Sequence, residues 1–247
     1  MKYSYNSILD SLPVKKNSNS SWWVKLWVRR VSFIFTYLLI NLGFSPNGVS
    51  VLSIFVALTS FICFGIPQTW ALIVALICIN LWLILDCVDG NIARCRKNKT
   101  VYGEFVDDIG GYYVVAFVYL AISVRAFYEG GVLINDTPMI IVIGAVSCIS
   151  DILARLIHKD YGNFSMKRSD YVQTDYTNES KRSLSYFRRR VGKEIGISGA
   201  FMPLAILCGI IKCYDLMTLF YCAFNCFALL STTVLYIYKA DKYDRTH

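Results

Sequence analysis

Residues 69–95 read TWALIVALICINLWLILDCVDGNIARC. From Thr69 to Leu85 the run carries no charged side chain, and Asp86 and Asp89 then follow within the same segment. An uncharged apolar run of this kind is the sequence mark of a helix that crosses a bilayer, which takes roughly 20 residues. A carboxylate at such a helix end costs several kcal/mol unless it is paired, binds metal or lines a wet cavity. The stretch therefore predicts a membrane helix whose far end is built for chemistry.

Working outward, similar runs recur at about 48–66, 103–126, 138–158, 194–212 and 215–238, giving six spans with 69–93. Hydrophobic residues make up 55% of the 247 and charged residues 17%, against about 25% charged in a soluble domain. A large soluble protein with buried helices lacks the polar surface to cover them. The fold class expected is all-α and polytopic. It is read as a single membrane domain over 1–247: a polar segment 1–21, an interfacial helix 22–42 and a six-helix core over 48–238. No cleavable signal is expected, because 1–21 holds Lys15 and Lys16 but no apolar centre.

Charge sorts by connection. Lys and Arg crowd the N-terminal region, the 94–102 and 159–193 links and the tail, whereas 66–69 and 127–137 hold none. The positive-inside rule then places both termini and the basic links in the cytoplasm. The net charge of +8 reads as a topology signal and a lure for anionic lipid or nucleotide, with no nucleic acid expected. Sequons at Asn19, Asn98 and Asn178 fall on that side and read as chance matches. Residues 22–42, WWVKLWVRRVSFIFTYLLINL, interleave aromatics with Lys25, Arg29 and Arg30. That pattern fits a helix lying in the interface with its basic groups outward, broken by Gly43 and Pro46 before the first span. Most of the nine cysteines lie inside apolar segments and read as small hydrophobes; no spacing suggests zinc.

The acidic residues supply the chemistry. Asp86 and Asp89 are three apart and share a helix face, one turn displaced. The short basic link makes the second and third spans antiparallel neighbours, so Asp107 can approach that pair. Converging carboxylates without a matching cation describe an oxygen-ligand site for Mg²⁺, Mn²⁺ or Ca²⁺. Gly90 and Gly103 would let a bulky phosphorylated ligand near the backbone, and Arg94, one turn on, offers a forked donor to phosphate.

These residues resemble a known signature. Asp86-x-x-Asp89-Gly90-x-x-Ala93-Arg94, eight residues, Gly103, three residues and Asp107 is similar to the motif of the CDP-alcohol phosphatidyltransferases. The likeness continues in the Ser45-Pro46-Asn47-x-Val49-Ser50 lead-in to the first span. The resemblance implies a two-metal site, Mg²⁺ or Mn²⁺, on Asp86, Asp89 and Asp107. Asn47, Gly90, Ala93, Arg94 and Gly103 would hold the CDP end of the donor. It implies attack of an acceptor hydroxyl on the β-phosphorus with release of CMP, and a homodimer; the small size and the lack of a sorting signal fit a cytoplasmic (inner) membrane, and the basic links put the site at the cytoplasmic face. The donor would be a CDP-alcohol, and the acceptor a lipid, a polyol phosphate or a glycan.

The likeness breaks at one position. The family's fourth aspartate, metal ligand and general base, falls on Gly111. Asp108 could substitute for it, joining Asp107 as a catalytic residue. The acceptor could bring its own base, with Gly110 and Gly111 making room. Or transfer could be lost, leaving a membrane protein that binds a nucleotide-lipid. Tyr112 is a poorer base, being mostly protonated. Farther along, Arg155 lies four residues from Asp151, reading equally as an internal ion pair and as a seat for an acceptor phosphate. Arg188, Arg189 and Arg190 read as a topology anchor.

Overall fold

The computed structural model describes residues 3–13, 20–97, 100–133, 137–167 and 184–246. Within them the chain is helical, with no strand. The elements are α1 (Tyr5–Asp10), a π-helical turn Val24–Val28, α2 (Arg29–Asn41), α3 (Pro46–Phe64) and α4 (Thr69–Cys95). There follow α5 (Val101–Glu129), α6 (Met139–Lys167), α7 (Leu184–Ile195), a second π-helical turn Ile197–Phe201, α8 (Met202–Ile211) and α9 (Tyr214–Thr246). Among the described residues, six helical stretches are long and apolar enough to cross a bilayer: Pro46–Phe64, Thr69–Cys95, Val101–Glu129, Met139–Asn163, Arg190–Ile211 and Tyr214–Lys242. The protein is integral to a membrane, as the apolar runs require.

Two compact units form, one from Met1–Phe117 with Lys193–Lys212, the other from Val118–Gly192 with Cys213–His247. In the first, α4 is the central helix. In its first turns it buries one stripe, Leu72, Ala75, Ile79 and Leu83, and leaves Trp70, Ile73 and Ile77 exposed; farther on it also buries Ile84, Leu85, Val88 and Ile92. α3 packs against it, and Ser60 Oγ donates 2.8 Å to the Ala75 carbonyl where the two meet. α3 begins at Ser45, whose Oγ accepts the Gly48 N–H at 3.1 Å, with Pro46 in the first turn. A hydroxyl cap followed by proline is a strong helix start.

The interfacial helix forms, but it turns a different face inward than its composition suggests. α2 buries Arg29, Ser32, Phe33, Thr36 and Ile40, while Ile34, Tyr37 and Leu38 are exposed. The expectation that the basic groups point outward fails at Arg29, whose Nη2 donates 2.7 Å to Ser20 Oγ. The reason is that the outward face must be apolar to meet lipid, so the polar stripe packs on α4. The helix stops at Gly43, whose φ of +90° supplies the left-handed cap. Within the segment read only as polar, Ser4 caps α1 and Ile8 is fully buried. Tyr5 lies edge-on to Tyr37 of α2 at 6.4 Å.

The fifth span is broken rather than continuous. Gly199 has φ −110° and ψ −115° inside the π-helical turn before α8. Pro203 lies four residues on; its ring would strike the carbonyl of residue 199 in a regular helix, and it has no N–H to donate. In the second unit α6 and α9 pack together. Asn225 Nδ2 donates 2.9 Å to Ser147 Oγ. A Cβ on Gly144 would collide with Ser123 and the Tyr119 carbonyl, so glycine lets α6 meet α5 closely. Asp215, fully buried at the start of α9, accepts the Leu133 N–H at 2.7 Å. The helices overrun the expected spans, α6 to Lys167 and α9 to Thr246. Their polar ends can continue as helix once outside the apolar layer, as the Arg245–Asp241 pair at 3.0 Å does. Asn19, Asn98 and Asn178 lie outside the described residues, as do Lys15, Lys16, Lys99, Arg168, Lys181 and Arg182.

Candidate functional site

A cavity of about 280 Å³ opens in the first unit where three helix ends meet. The start of α3 contributes Pro46, Asn47 and Ser50; the end of α4 contributes Asp89, Gly90, Ala93 and Arg94. Thr100, Gly103, Glu104 and Asp107 close it from the first turns of α5. Every residue expected to hold the CDP end of a donor therefore lines one space, together with two of the three aspartates expected to hold metal. Asp86 sits one turn earlier in α4, outside that lining and half-buried.

Local chemistry explains how these side chains are held. Asp89 is 7% exposed, and Ser50 Oγ donates to its Oδ2 at 2.6 Å. This bond crosses from α3 to α4 and fixes one carboxylate oxygen. α5 starts on Thr100, whose Oγ1 accepts the Gly103 N–H at 3.1 Å. A Cβ on Gly103 would stand 3.0 Å from Asn47 Oδ1 and 3.1 Å from Thr100 Oγ1. Glycine at 103 thus lets α5 come against Asn47. Asp107 and Glu104, one turn apart, are exposed and add negative charge to the rim. Arg94 donates through Nη2 to Asn91 Oδ1, and Asn91 is completely buried.

The position of the missing aspartate is open. A Cβ on Gly111 would meet nothing within 4 Å, so crowding does not explain the glycine. Asp108 is exposed, one turn before Gly111 and outside the cavity lining. Arg155 belongs to the second unit, where its Nε donates 2.9 Å to Asp151 Oδ1; its side chain is 48% exposed.

The site's carboxylate and hydroxyl oxygens match what Mg²⁺ or Mn²⁺ takes. Ser50 on Asp89 is the kind of outer hydrogen bond that orients a ligating carboxylate. The donor chemistry fits a divalent cation, although among the described residues no three His, Cys, Asp or Glu side chains stand close enough together to hold one.

A profile of the CDP-alcohol phosphatidyltransferase family matches residues 44–176, spanning α3 to α6 and so every cavity residue named above. The chain belongs to the CDP-alcohol phosphatidyltransferase family. No curated protein matches it. Membership makes it a transferase that takes a phospho-alcohol group from a CDP-alcohol donor to an alcohol acceptor in a membrane setting, in a family generally dependent on divalent metal.

Two contributors stand outside the residues that the sequence motif picks out. Thr100 does carry a local signal, a hydroxyl just before an apolar helix, which is the usual start mark. Asn91 sits at an unspecified position of the family motif, and only its burial beneath Arg94 reveals it.

Proposed function

We propose that this family member is an active, metal-dependent CDP-alcohol phosphotransferase working at the cytoplasmic membrane face. The observation that carries the reading is the single cavity joining Asn47, Asp89, Gly90, Ala93, Arg94, Gly103 and Asp107. Asp86, Asp89 and Asp107 are the residues that would hold Mg²⁺ or Mn²⁺. When bound, such a cation neutralises charge on the pyrophosphate and on the departing nucleotide.

The chain's own residues do the rest. Gly90 and Gly103 leave room for the donor against the backbone, Asn47 and Ala93 shape that space, and Arg94 grips a phosphate oxygen with its fork. The acceptor hydroxyl attacks the β-phosphorus; a new P–O bond forms and the bond to CMP breaks. Asp108 takes the hydroxyl proton in place of the aspartate that Gly111 lacks, being one turn away on the same face. Arg155 would bind an anionic acceptor by exchanging its Asp151 contact. The chain acts in phospholipid or glycan headgroup synthesis, as a homodimer on the strength of the family resemblance. Basic residues on the 94–102 and 159–193 links support cytoplasmic termini.

Gly111 favours one other reading, a protein that binds the CDP-alcohol without turning it over. Purified protein given CDP-diacylglycerol or a soluble CDP-alcohol, Mg²⁺ or Mn²⁺ and a panel of acceptors should release CMP. Metal-dependent CDP binding with no CMP from any pair would establish the binding reading instead.

A further inference from the structure

Residues 3–13 lie ahead of the stretch that the family profile matches, yet they end at the cavity. Pro13 is part of its lining, together with Pro46, Ala93, Arg94 and the acids of α4 and α5. A six-residue helix such as α1 does not hold itself together in isolation, so its seat on the rest of the protein decides where Pro13 stands.

That seat is specific. Ile8 is fully buried, and α1 packs on both α2 and α4. Before α1, the backbone of Tyr3 exchanges two hydrogen bonds with the Asn41 amide at the end of α2. The Tyr3 N–H donates 2.9 Å to Oδ1, and Nδ2 donates 3.2 Å to the Tyr3 carbonyl. After α1, Ser11 Oγ donates 2.7 Å to the Ile8 carbonyl and accepts from Cys95 Sγ at 3.6 Å. Cys95 directly follows Arg94 at the end of α4. The two helices beneath are themselves tied, since Asn91 Nδ2 of α4 donates to Thr36 Oγ1 at 3.0 Å and to Ser32 Oγ at 3.4 Å, both on α2. The segment is thus held at both ends, two residues before Pro13 reaches the cavity.

The chemistry of the lining divides the ligand. Its carboxylates and Arg94 suit a cation and phosphate oxygens. A pyrimidine ring offers flat faces that gain from an apolar cover. Pro13, Pro46 and Ala93 are the apolar side chains of the lining, and a proline ring is rigid and has no N–H in need of a partner. We infer that Pro13 is a nucleoside-binding residue of the donor site, covering the cytidine of the CDP-alcohol, and that Ile8 is the positioning residue that sets it there. The identity of the nucleotide rests on the transferase reading. The segment read from sequence only as polar becomes a wall of the site.

Calorimetric binding of CDP and of inorganic pyrophosphate to the full chain, in detergent with Mg²⁺, tests this on Pro13→Ala, Ile8→Ala and Ile8→Val. Pro13→Ala should melt close to wild type, because its side chain is exposed. Its CDP affinity should fall about fivefold, the loss expected when about 40 Å² of apolar contact is given up, with pyrophosphate affinity kept. Ile8→Ala should melt lower, lose CDP affinity to a similar degree and keep pyrophosphate; Ile8→Val should recover CDP binding. In turnover, Pro13→Ala and Ile8→Ala should raise KM for the CDP-alcohol and leave KM for the acceptor where it was. Wild-type CDP affinity in both Pro13→Ala and Ile8→Ala overturns the inference and leaves the transferase reading standing. Equal losses of CDP and pyrophosphate also overturn it, because the segment would then only support the fold. A wild-type protein that binds no CDP defeats the transferase reading and this assignment together.

Discussion

Ser50 Oγ lies 2.6 Å from Asp89 Oδ2, so the first turns of α3 hold a buried carboxylate on the last turns of α4. The bond links the Ser45-Pro46-Asn47 helix start to the acidic motif. It also sets the orientation of the Asp89 carboxylate in the cavity wall.

Removing that donor should be felt in metal dependence. Ser50→Ala should weaken the metal requirement's apparent affinity by about 10–100-fold, the usual cost of losing an outer hydrogen bond on a ligating carboxylate. Ser50→Thr should keep it. Metal titration of CMP release measures both.

Glycines 103 and 111 should respond oppositely to the same change. Gly103→Ala drives a methyl to about 3.0 Å from Asn47 Oδ1 and should lower CDP affinity, with an overpacking cost of about 1–3 kcal/mol. Gly111→Ala meets nothing within 4 Å and should stabilise α5 by about 0.5–1 kcal/mol through helix propensity. Melting curves in detergent, with and without CDP, separate the two.

The general base is tested from both sides of the gap. Asp108→Asn should slow turnover by about 10²–10⁴-fold, the contribution of a positioned base, with CDP affinity little changed. Gly111→Asp sets its Cβ where nothing lies within 4 Å and should restore rate to the Asp108→Asn protein. An Asp108→Asn enzyme at full speed would remove that residue from the mechanism.

The apolar runs recurring along the chain predict six spans, and the spacing from Asp86 to Asp107 predicts an acidic junction, because bilayer thickness and helix periodicity admit few alternatives. What the amino-acid sequence does not reach depends on neighbours. Arg29 looks like an outward basic group until α4 is seen to offer Asn91 to the stripe of Ser32 and Thr36. The break at Gly199 needs the pairing of that glycine with Pro203 four residues on. Asp86 shares a face with Asp89 by periodicity, yet only Asp89 lines the cavity, since α4 buries its flanks to different depths.

Arg155 separates acceptor binding from structure. Its pair with Asp151 is half-exposed and should add at most about 1 kcal/mol to stability. Arg155→Gln should therefore melt like wild type, raise KM for an anionic acceptor and leave KM for the donor unchanged. Equal KM values for both substrates would reduce Arg155 to the internal pair.

CMP release by the Asp107→Asn protein bears on the central claim most directly. Wild type, given a CDP-alcohol, an acceptor and Mg²⁺ or Mn²⁺, should form CMP at a rate abolished by chelation. Asp107→Asn should keep its melting temperature and lose that metal-dependent rate. Undiminished metal-dependent CMP release by Asp107→Asn would contradict the account.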